Sequence, residues 1–154
     1  MPITVADRIE KQLVLRAARS RVWRALSDAE EFGKWFGVKL QGTFTEGATL
    51  RGQITHPGYE HLAMEVFVER VEPERYIAWR WHPYAVDPKV DYSKEPTTLV
   101  EFHLNEIPNG IKVTVVESGF SQIPLGRRDE AFRMNERGWG VQMENISHHV
   151  EGKS

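Results

Sequence analysis

The chain has 154 residues, the size of one ordinary domain, and its 40% hydrophobic and 27% charged residues are typical of a folded globular protein. The formal net charge is −2 and no block of one sign occurs, so the composition favours neither nucleic acid nor an anionic membrane as a partner. The absence of cysteine excludes disulfides, iron–sulfur clusters, zinc sites with cysteine ligands and thiol nucleophiles.

The N-terminal segment MPITVADRIEKQ lacks the apolar core of a signal peptide. No run in the chain approaches the roughly 18 apolar residues of a membrane span. We therefore expect a cytoplasmic protein with no membrane partner, folded as a single domain over residues 1–154.

The first third of the chain predicts a strand followed by two short helices. RIEKQLVLRA alternates well enough for a strand, and RSRVWRAL has apolar residues at helical spacing. SDAEEFGKWFG then holds two overlapping capping boxes, Ser27 with Glu30 and Asp28 with Glu31. These signals predict a second short helix directly after the first.

From residue 38 the apolar period changes to two, which predicts a run of about six antiparallel strands. The clearest hairpin is TTLVEFHLNEIPNGIKVTVVES, where Asn109 and Gly110 supply the positive φ angles of a tight reversal. Val100, Phe102 and Leu104 alternate with polar residues, so one face of this hairpin is expected to be covered.

The last third predicts a long helix with one apolar stripe. At 100° per residue, five bulky side chains point within about 40° of one direction: Phe132, Trp139, Met143, Ile146 and Val150. Gly138 and Gly140 flank Trp139. We expect these glycines to allow close approach of another segment or to relieve packing against it, with a hinge in the helix as the alternative.

This order of elements predicts an α+β architecture. A sheet of six to seven strands curls because strands twist, and its concave face is the only surface large enough to cover the terminal helix. The two short helices would close one end of the curved sheet. An interior space would remain between the sheet and the terminal helix.

Four segments in chain order resemble a known family. They are RSRVWRALSDAEEFGKWFG, VEPERYIAWRW, VVESGF and ERGWGVQMENI, and the match runs over residues 8–150. They are similar to proteins related to the activator of the heat-shock chaperone ATPase. That group is a branch of the START-like, or SRPBCC, superfamily, which also contains the birch-pollen allergens.

The resemblance implies a helix-grip fold, a curved antiparallel sheet wrapped around the C-terminal helix with a cavity between them. Superfamily members commonly hold apolar ligands such as lipids, sterols, polyketides or hormones in that cavity, and a minority catalyse cyclisation or hydration there. The branch itself mostly lacks an assigned reaction. The link to a heat-shock chaperone implies a role in the stress response.

The candidate ligand-binding residues are aromatic, apolar or polar side chains predicted to face the interior. For each aromatic residue, a place in a solid core is the alternative. Buried indole N–H groups need a partner, which a ligand would supply. The full set is Trp35, Phe36, Trp79, Trp81, Phe102, Glu117, Phe132, Asn135, Glu136, Trp139 and Met143.

The polar members of this set are the candidates to orient or protonate a ligand. Glu117 shares a face with Val113 and Val115, and Asn135 and Glu136 flank the helix stripe. A carboxylate on an apolar wall would have a raised pKa and would orient or protonate a ligand. The alternative is an ion pair at the rim with one of three arginines: Arg80, Arg133 and Arg137.

No cofactor or metal is expected. The histidines show no metal-binding spacing, and the chain contains no nucleophile elbow and no glycine-rich nucleotide motif. Residues 82–96 form a long segment with three prolines, and Tyr84, Val86 and Tyr92 are candidates to cap the cavity. A mobile surface loop is the alternative there.

Three functions are compatible with these features. The first is non-enzymatic binding of a small apolar or aromatic molecule between sheet and helix. The second is a protein-interaction domain like the chaperone ATPase activators, with a protein partner on the convex sheet or on the 82–96 segment. The third is an acid/base cyclase or hydratase that uses Glu117 or Glu136.

Overall fold

Seven antiparallel strands, two short helices and one long C-terminal helix make up the computed structural model, which describes residues 7–83 and 89–152. In chain order they are β1 (Arg8–Leu15), α1 (Arg19–Ser27), α2 (Ala29–Phe36), β2 (Val38–Gln41), β3 (Thr49–Ile54), β4 (Ala63–Glu72), β5 (Tyr76–Trp81), β6 (Thr98–Ile107), β7 (Gly110–Ser118) and α3 (Leu125–Glu151). Short 3-10 turns lie at Tyr92–Lys94 and Phe120–Gln122. The predicted α+β helix-grip architecture is confirmed.

The strands form one curved sheet in the order β1-β7-β6-β5-β4-β3-β2. Strands adjacent in the chain are adjacent in the sheet except β1, which pairs with β7 at one edge. Alternate residues of β6 are buried, as the period of two predicts, whereas all residues of β7 from Val113 to Glu117 are buried. The helix α3 packs against β1, α1 and α2, so the concave face is closed by helices.

The helix α3 is continuous over 27 residues. Its buried side chains are Ala131, Trp139, Met143, Ile146 and Val150. The predicted stripe is therefore confirmed for four of its five residues, whereas Phe132 is half-buried and packs against Phe120 of the preceding turn at 5.1 Å between ring centroids. This apolar row holds the helix on the sheet.

The N-terminus of α2 is capped by Asp28, whose carboxylate accepts hydrogen bonds from the backbone N–H groups of Glu30 and Glu31. The predicted second cap at Ser27 is wrong, because its hydroxyl donates to the carbonyl of Trp23 within α1. The side chain of Glu31 does not return to the cap. Instead it lies between the guanidinium groups of α1 and the C-terminal part of α3.

The β6–β7 hairpin forms as predicted, but its reversal differs in detail. Ile107 pairs with Gly110, so the connection consists of Pro108 and Asn109. Asn109 does not have a positive φ, since Glu74 is the only non-glycine with one among the described residues. Gly110 has the predicted positive φ, at 152°, and it is required for a second reason as well. A Cβ at this position would lie 2.3 Å from the carbonyl oxygen of Leu15 on the neighbouring strand.

The predicted packing role of the two glycines in α3 is wrong. A Cβ added to Gly138 or Gly140 would meet no atom within 4 Å, so neither residue permits a close approach or relieves crowding. Each glycine destabilises the helix by about 1 kcal/mol relative to alanine, and the missing Cβ relieves no steric conflict. The hinge over the interior therefore stays a prediction.

Candidate functional site

The centre of the space between sheet and helix is filled by aromatic side chains. The ring of Phe102 lies 5.8 Å from Trp139, 6.2 Å from Trp79 and 6.5 Å from Trp35. Trp79 is completely buried, and Met143 completes this packing from α3. These predicted ligand-binding residues lie in the hydrophobic core, where their rings pack against one another in edge-to-face and tilted contacts.

A cavity of about 300 Å³ remains at one end of this core, where β5 ends and α2 meets the sheet. Three of the predicted residues line it: Phe36 from α2, Trp81 from β5 and Asn135 from α3. Tyr92, a predicted capping residue, also lines it, and the rest of the lining comes from residues that no sequence pattern singled out as ligand-binding: Ile54, Leu62, Ala63, Met64, Glu65 and His82. The wall is mostly apolar, and its aromatic rings are only half-buried.

A completely buried carboxylate lies behind this wall. Glu117, on β7, is 0% exposed and accepts hydrogen bonds from four neutral side chains. Its Oε2 accepts from the Thr98 hydroxyl at 2.6 Å and from the Trp81 indole at 2.7 Å. Its Oε1 accepts from the Trp139 indole at 2.8 Å. The Asn135 amide nitrogen lies 3.0 and 3.1 Å from the two oxygens and donates to both.

We call Glu117 and its four donors the carboxylate cage. It joins β5, β6, β7 and α3 through hydrogen bonds to one group. The alternative of a rim ion pair for Glu117 is wrong, because Arg80 pairs with Glu69 and the Arg133 guanidinium donates to the Asp129 carbonyl. In the described part of the chain, no cation compensates the buried charge.

Burial raises the pKa of Glu117, since a charged carboxylate loses its hydration in the protein interior. The hydrogen bonds from the cage act in the opposite direction, because an indole or amide N–H stabilises the ionised form. Burial is the larger of the two effects. The folded state therefore holds the Glu117 proton more tightly than the unfolded chain does.

This shift predicts a pH-dependent stability that belongs to Glu117. An acid with a raised folded-state pKa contributes stability that is fully present below its unfolded pKa, near 4.5, and lost as pH rises through the folded pKa. We expect the free energy of unfolding of the wild type, minus that of Glu117→Gln, to decrease as pH rises above 4.5. Urea unfolding of both proteins at several pH values measures this difference.

The comparison with Glu117→Gln is needed because other carboxyls change the free energy of unfolding with pH in the opposite direction. Hydrogen bonds from Ser121 lower the pKa of Asp7. Desolvation is the largest single effect on Glu31 and acts to raise its pKa, but hydrogen bonds from His149 and Arg21 and the charges of the nearby arginines together lower that pKa. Both contribute stability that is lost on acidification. A difference between wild type and variant that stays constant with pH would show that Glu117 does not titrate differently on folding.

Glu136 does not belong to the site. Its side chain is exposed, although the helical spacing predicts it beside the stripe. The buried row on α3 runs through Ala131, Asn135, Trp139 and Met143 at intervals of four residues. Glu136 is one residue further than Asn135, which rotates it by about 100° towards solvent. Phe132 also lies away from the cavity, against Phe120.

The indole N–H groups show how the tryptophans differ. Trp81 and Trp139 donate to Glu117, and Trp35 donates to the carbonyl of Ala25 at 2.8 Å. The N–H of Trp79 has no acceptor among the described residues although the side chain is completely buried. The expected partners for buried indoles are thus supplied by the protein in three cases, without a ligand.

The segment after β5 contributes to the cavity through Tyr92 and His82. The Tyr92 ring lies under the Arg127 guanidinium, with 4.8 Å from Cζ to the ring centroid. The predicted capping residues Tyr84 and Val86 lie outside the described residues. The predicted lid over the cavity is therefore supported only at Tyr92.

One cage residue could have been found from the sequence and was not. Thr98 alternates with Val100 and Phe102 on the covered face of β6, so its hydroxyl is a polar group in an apolar row. Such a hydroxyl needs a buried partner, and Glu117 stands at the end of the neighbouring strand. The two signals together predict a contact across β6 and β7.

Within the described ranges, no group of three or more metal-binding side chains lies close enough together to hold a metal ion. Likewise, no helix there is sufficiently long and apolar to cross a membrane.

Comparison with known proteins agrees with the fold. Residues 16–151 match the family described as Activator of Hsp90 ATPase homolog 1-like protein. Among solved structures, MLL2253 from Mesorhizobium loti is similar with a TM-score of 0.75 and 18% identity, over 96% of this chain and 98% of that chain. NE0264 from Nitrosomonas europaea gives a TM-score of 0.74 at 18% identity, over 100% of both chains.

The Aha1 dimer from Colwellia psychrerythraea, solved in solution, gives a TM-score of 0.72 at 16% identity, over 96% of this chain and 98% of that chain. At these identities the structural likeness shows the fold alone. No curated protein matches the chain.

Proposed function

The chain belongs to the Activator of Hsp90 ATPase homolog 1-like family, and we propose that it binds a small apolar or aromatic molecule in the cavity beside Trp81 and Asn135. The cavity itself is the observation that carries this proposal. It measures about 300 Å³, and an apolar cavity of about 150 Å³ is enough for benzene. A molecule with two fused rings therefore fits.

The energetic source of binding is the apolar wall. Phe36 and Trp81 lie 6.0 Å apart between ring centroids, and both expose part of their rings to the cavity. Covering about 200 Å² of apolar surface supplies about 5 kcal/mol before the costs of association. Because the costs of association remove part of this free energy, we expect a two-ring fragment to bind with a Kd on the order of 1 mM.

The acid/base function loses support in this arrangement. Glu136 is exposed and does not line the cavity. Glu117 is completely buried behind Trp81 and Asn135, and both of its oxygens accept hydrogen bonds from the protein. A general acid or base needs hydrogen-bond reach to the reacting group. The geometry fits a positioning role for Glu117.

A cavity-filling substitution tests the proposal. We expect Ile54→Trp to weaken benzofuran binding by about tenfold or more, because the larger side chain occupies the volume that Ile54 now borders. Titration followed by two-dimensional ¹H–¹⁵N NMR measures the Kd and shows whether the shifted amides lie around the cavity.

The matched control is Ile107→Trp, which places the same side chain at a half-buried strand end outside the cavity. Equal affinity of both variants, or no shifted amides at millimolar benzofuran, would contradict ligand binding in this cavity. The family match favours a protein-interaction domain as the second function. Stimulation of a chaperone ATPase that Ile54→Trp leaves intact would favour that function.

A further inference from the structure

We propose that the cavity selects neutral ligands that carry a hydrogen-bond donor, such as an indole N–H or a hydroxyl, and that Glu117 is the positioning residue behind this selectivity. The inference rests on the proposed function, because it assigns a ligand class to the same cavity. It follows from the orientation that the carboxylate cage imposes on the polar atoms of the wall.

The amide of Asn135 can face the cage in one orientation only. Both Glu117 oxygens already accept hydrogen bonds from indole N–H groups, which can only donate, so the NH₂ end of the amide must face Glu117. The distances of 3.0 and 3.1 Å from Nδ2 to the two carboxylate oxygens agree with this. The Oδ1 atom then points away from Glu117. No hydrogen bond to Oδ1 is present among the described residues, and Asn135 lines the cavity.

Trp81 cannot supply a donor to a ligand. Its indole N–H is held by Glu117 at 2.7 Å, so this residue presents its ring to the cavity. The cage thus engages the Trp81 N–H and one of the two N–H groups of Asn135, and leaves the Asn135 carbonyl oxygen as an acceptor.

The outer part of the cavity wall also presents hydrogen-bond acceptors. Nε2 of His82 lies 3.1 Å from the carbonyl oxygen of Glu95, which can only accept, so the ring proton of neutral His82 is on Nε2. Its Nδ1 is therefore an acceptor. Glu65 adds a carboxylate that is paired with Arg51. Among the described residues that line the cavity, none is a lysine or an arginine.

The acceptors at Asn135 and His82 discriminate by ligand chemistry, and the Tyr92 hydroxyl, which can donate or accept, completes the polar part of the lining. A ligand N–H or O–H opposite Asn135 Oδ1 gains a hydrogen bond to an atom that has no acceptor role elsewhere among the described residues. A ligand that places an acceptor or an anion there leaves two acceptors opposed, with the buried carboxylate of Glu117 behind them. For a matched pair of ligands that differ only in this group, we expect about a tenfold difference in Kd.

Indole and benzofuran are such a pair, because they have nearly the same shape and differ by N–H against a ring oxygen. We expect the wild type to bind indole about tenfold more tightly than benzofuran in ¹H–¹⁵N NMR titrations, and benzoate more weakly than both. Asn135→Leu, of similar volume, should bring the indole and benzofuran Kd values within about twofold of each other.

Glu117→Gln tests the positioning role. The carboxamide of the variant can accept or donate, so Asn135 is no longer held in one orientation. The ratio of the benzofuran Kd to the indole Kd should therefore fall towards one. Loss of the preference in both variants supports the inference. Retention of the tenfold preference in folded Asn135→Leu overturns it.

The titrations of the wild type with indole and benzofuran also test the inference by themselves. The test therefore does not depend on whether the variants fold. Equal binding of indole and benzofuran in the cavity overturns the selectivity and leaves the proposed function intact. Binding of neither compound overturns the proposed function and the selectivity with it.

Discussion

Glu117→Leu is expected to lower the free energy of unfolding by about 4 kcal/mol. Leucine has a similar volume, so the substitution mainly removes the acceptor from the cage. The Thr98 hydroxyl and the Trp139 indole are almost completely buried and would lose their partner, at about 1–3 kcal/mol each. Trp81 and Asn135 are half-buried and regain water more easily. Urea unfolding monitored by circular dichroism measures the change.

Glu69→Leu is the matched control, because Glu69 is an exposed strand carboxylate that pairs with Arg80. We expect a change of less than about 1 kcal/mol there, as for other exposed ion pairs. A loss in Glu117→Leu as small as in this control would contradict the expected result. It would mean that the desolvation of the buried carboxylate offsets nearly all of its hydrogen bonds.

The fold could be predicted from the sequence because its signals are local. Alternation along β6 and β7 identifies the buried face, and spacing along α3 identifies the row that contains Trp139 and Met143. Asp28 was recognisable as a cap from its position before two glutamates. The steric requirement at Gly110 was harder to predict. It comes from Leu15 on β1, which is far from Gly110 in the sequence although the two strands are neighbours in the sheet.

The division between core and cavity could not be predicted in the same way. Trp35, Trp79 and Trp81 all face inward, yet only Trp81 reaches the cavity. The difference depends on how rings from separate elements fill a common volume, which no period along the chain records. For the same reason, Ile54 and Met64 were missed as lining residues, since each has the ordinary pattern of a strand core.

Four of the five cage residues were predicted as site residues, but the hydrogen bonds that connect them to Glu117 were not. Glu117 was identified because it continues the apolar row of Val113 and Val115. Its partners lie 36 residues away at Trp81 and 22 at Trp139, so their convergence depends on the tertiary fold. An ion pair is the partner that sequence reasoning expects for a carboxylate on an apolar wall, whereas the protein uses four neutral donors.

The cage connects stability to the proposed binding site. Glu117 joins three strands to α3, and two of its four donors also form the cavity wall. A substitution in the cage should therefore change both the free energy of unfolding and the ligand preference. A substitution in the filled aromatic core should change the free energy of unfolding alone.

Trp139→Phe and Trp79→Phe separate two contributions to the free energy of unfolding, core packing and the hydrogen bond to Glu117. Both variants replace a tryptophan, so they can be compared directly. Both indoles are nearly or completely buried, and each substitution leaves a void of about 40 Å³ that costs about 1 kcal/mol. Trp139→Phe also removes the 2.8 Å hydrogen bond to Glu117, worth about 2 kcal/mol for a charged acceptor. The Trp79 indole has no acceptor among the described residues, so its substitution loses no such bond.

We therefore expect Trp139→Phe to destabilise by about 3 kcal/mol and Trp79→Phe by about 1 kcal/mol in urea unfolding. The background of Glu117→Leu supplies a double-mutant cycle, in which the extra cost of Trp139→Phe should disappear because its acceptor is already gone. Equal costs for the two tryptophans in the wild-type background would show that the indole–carboxylate bond contributes nothing net. The carboxylate cage would then be a consequence of packing and not a source of stability.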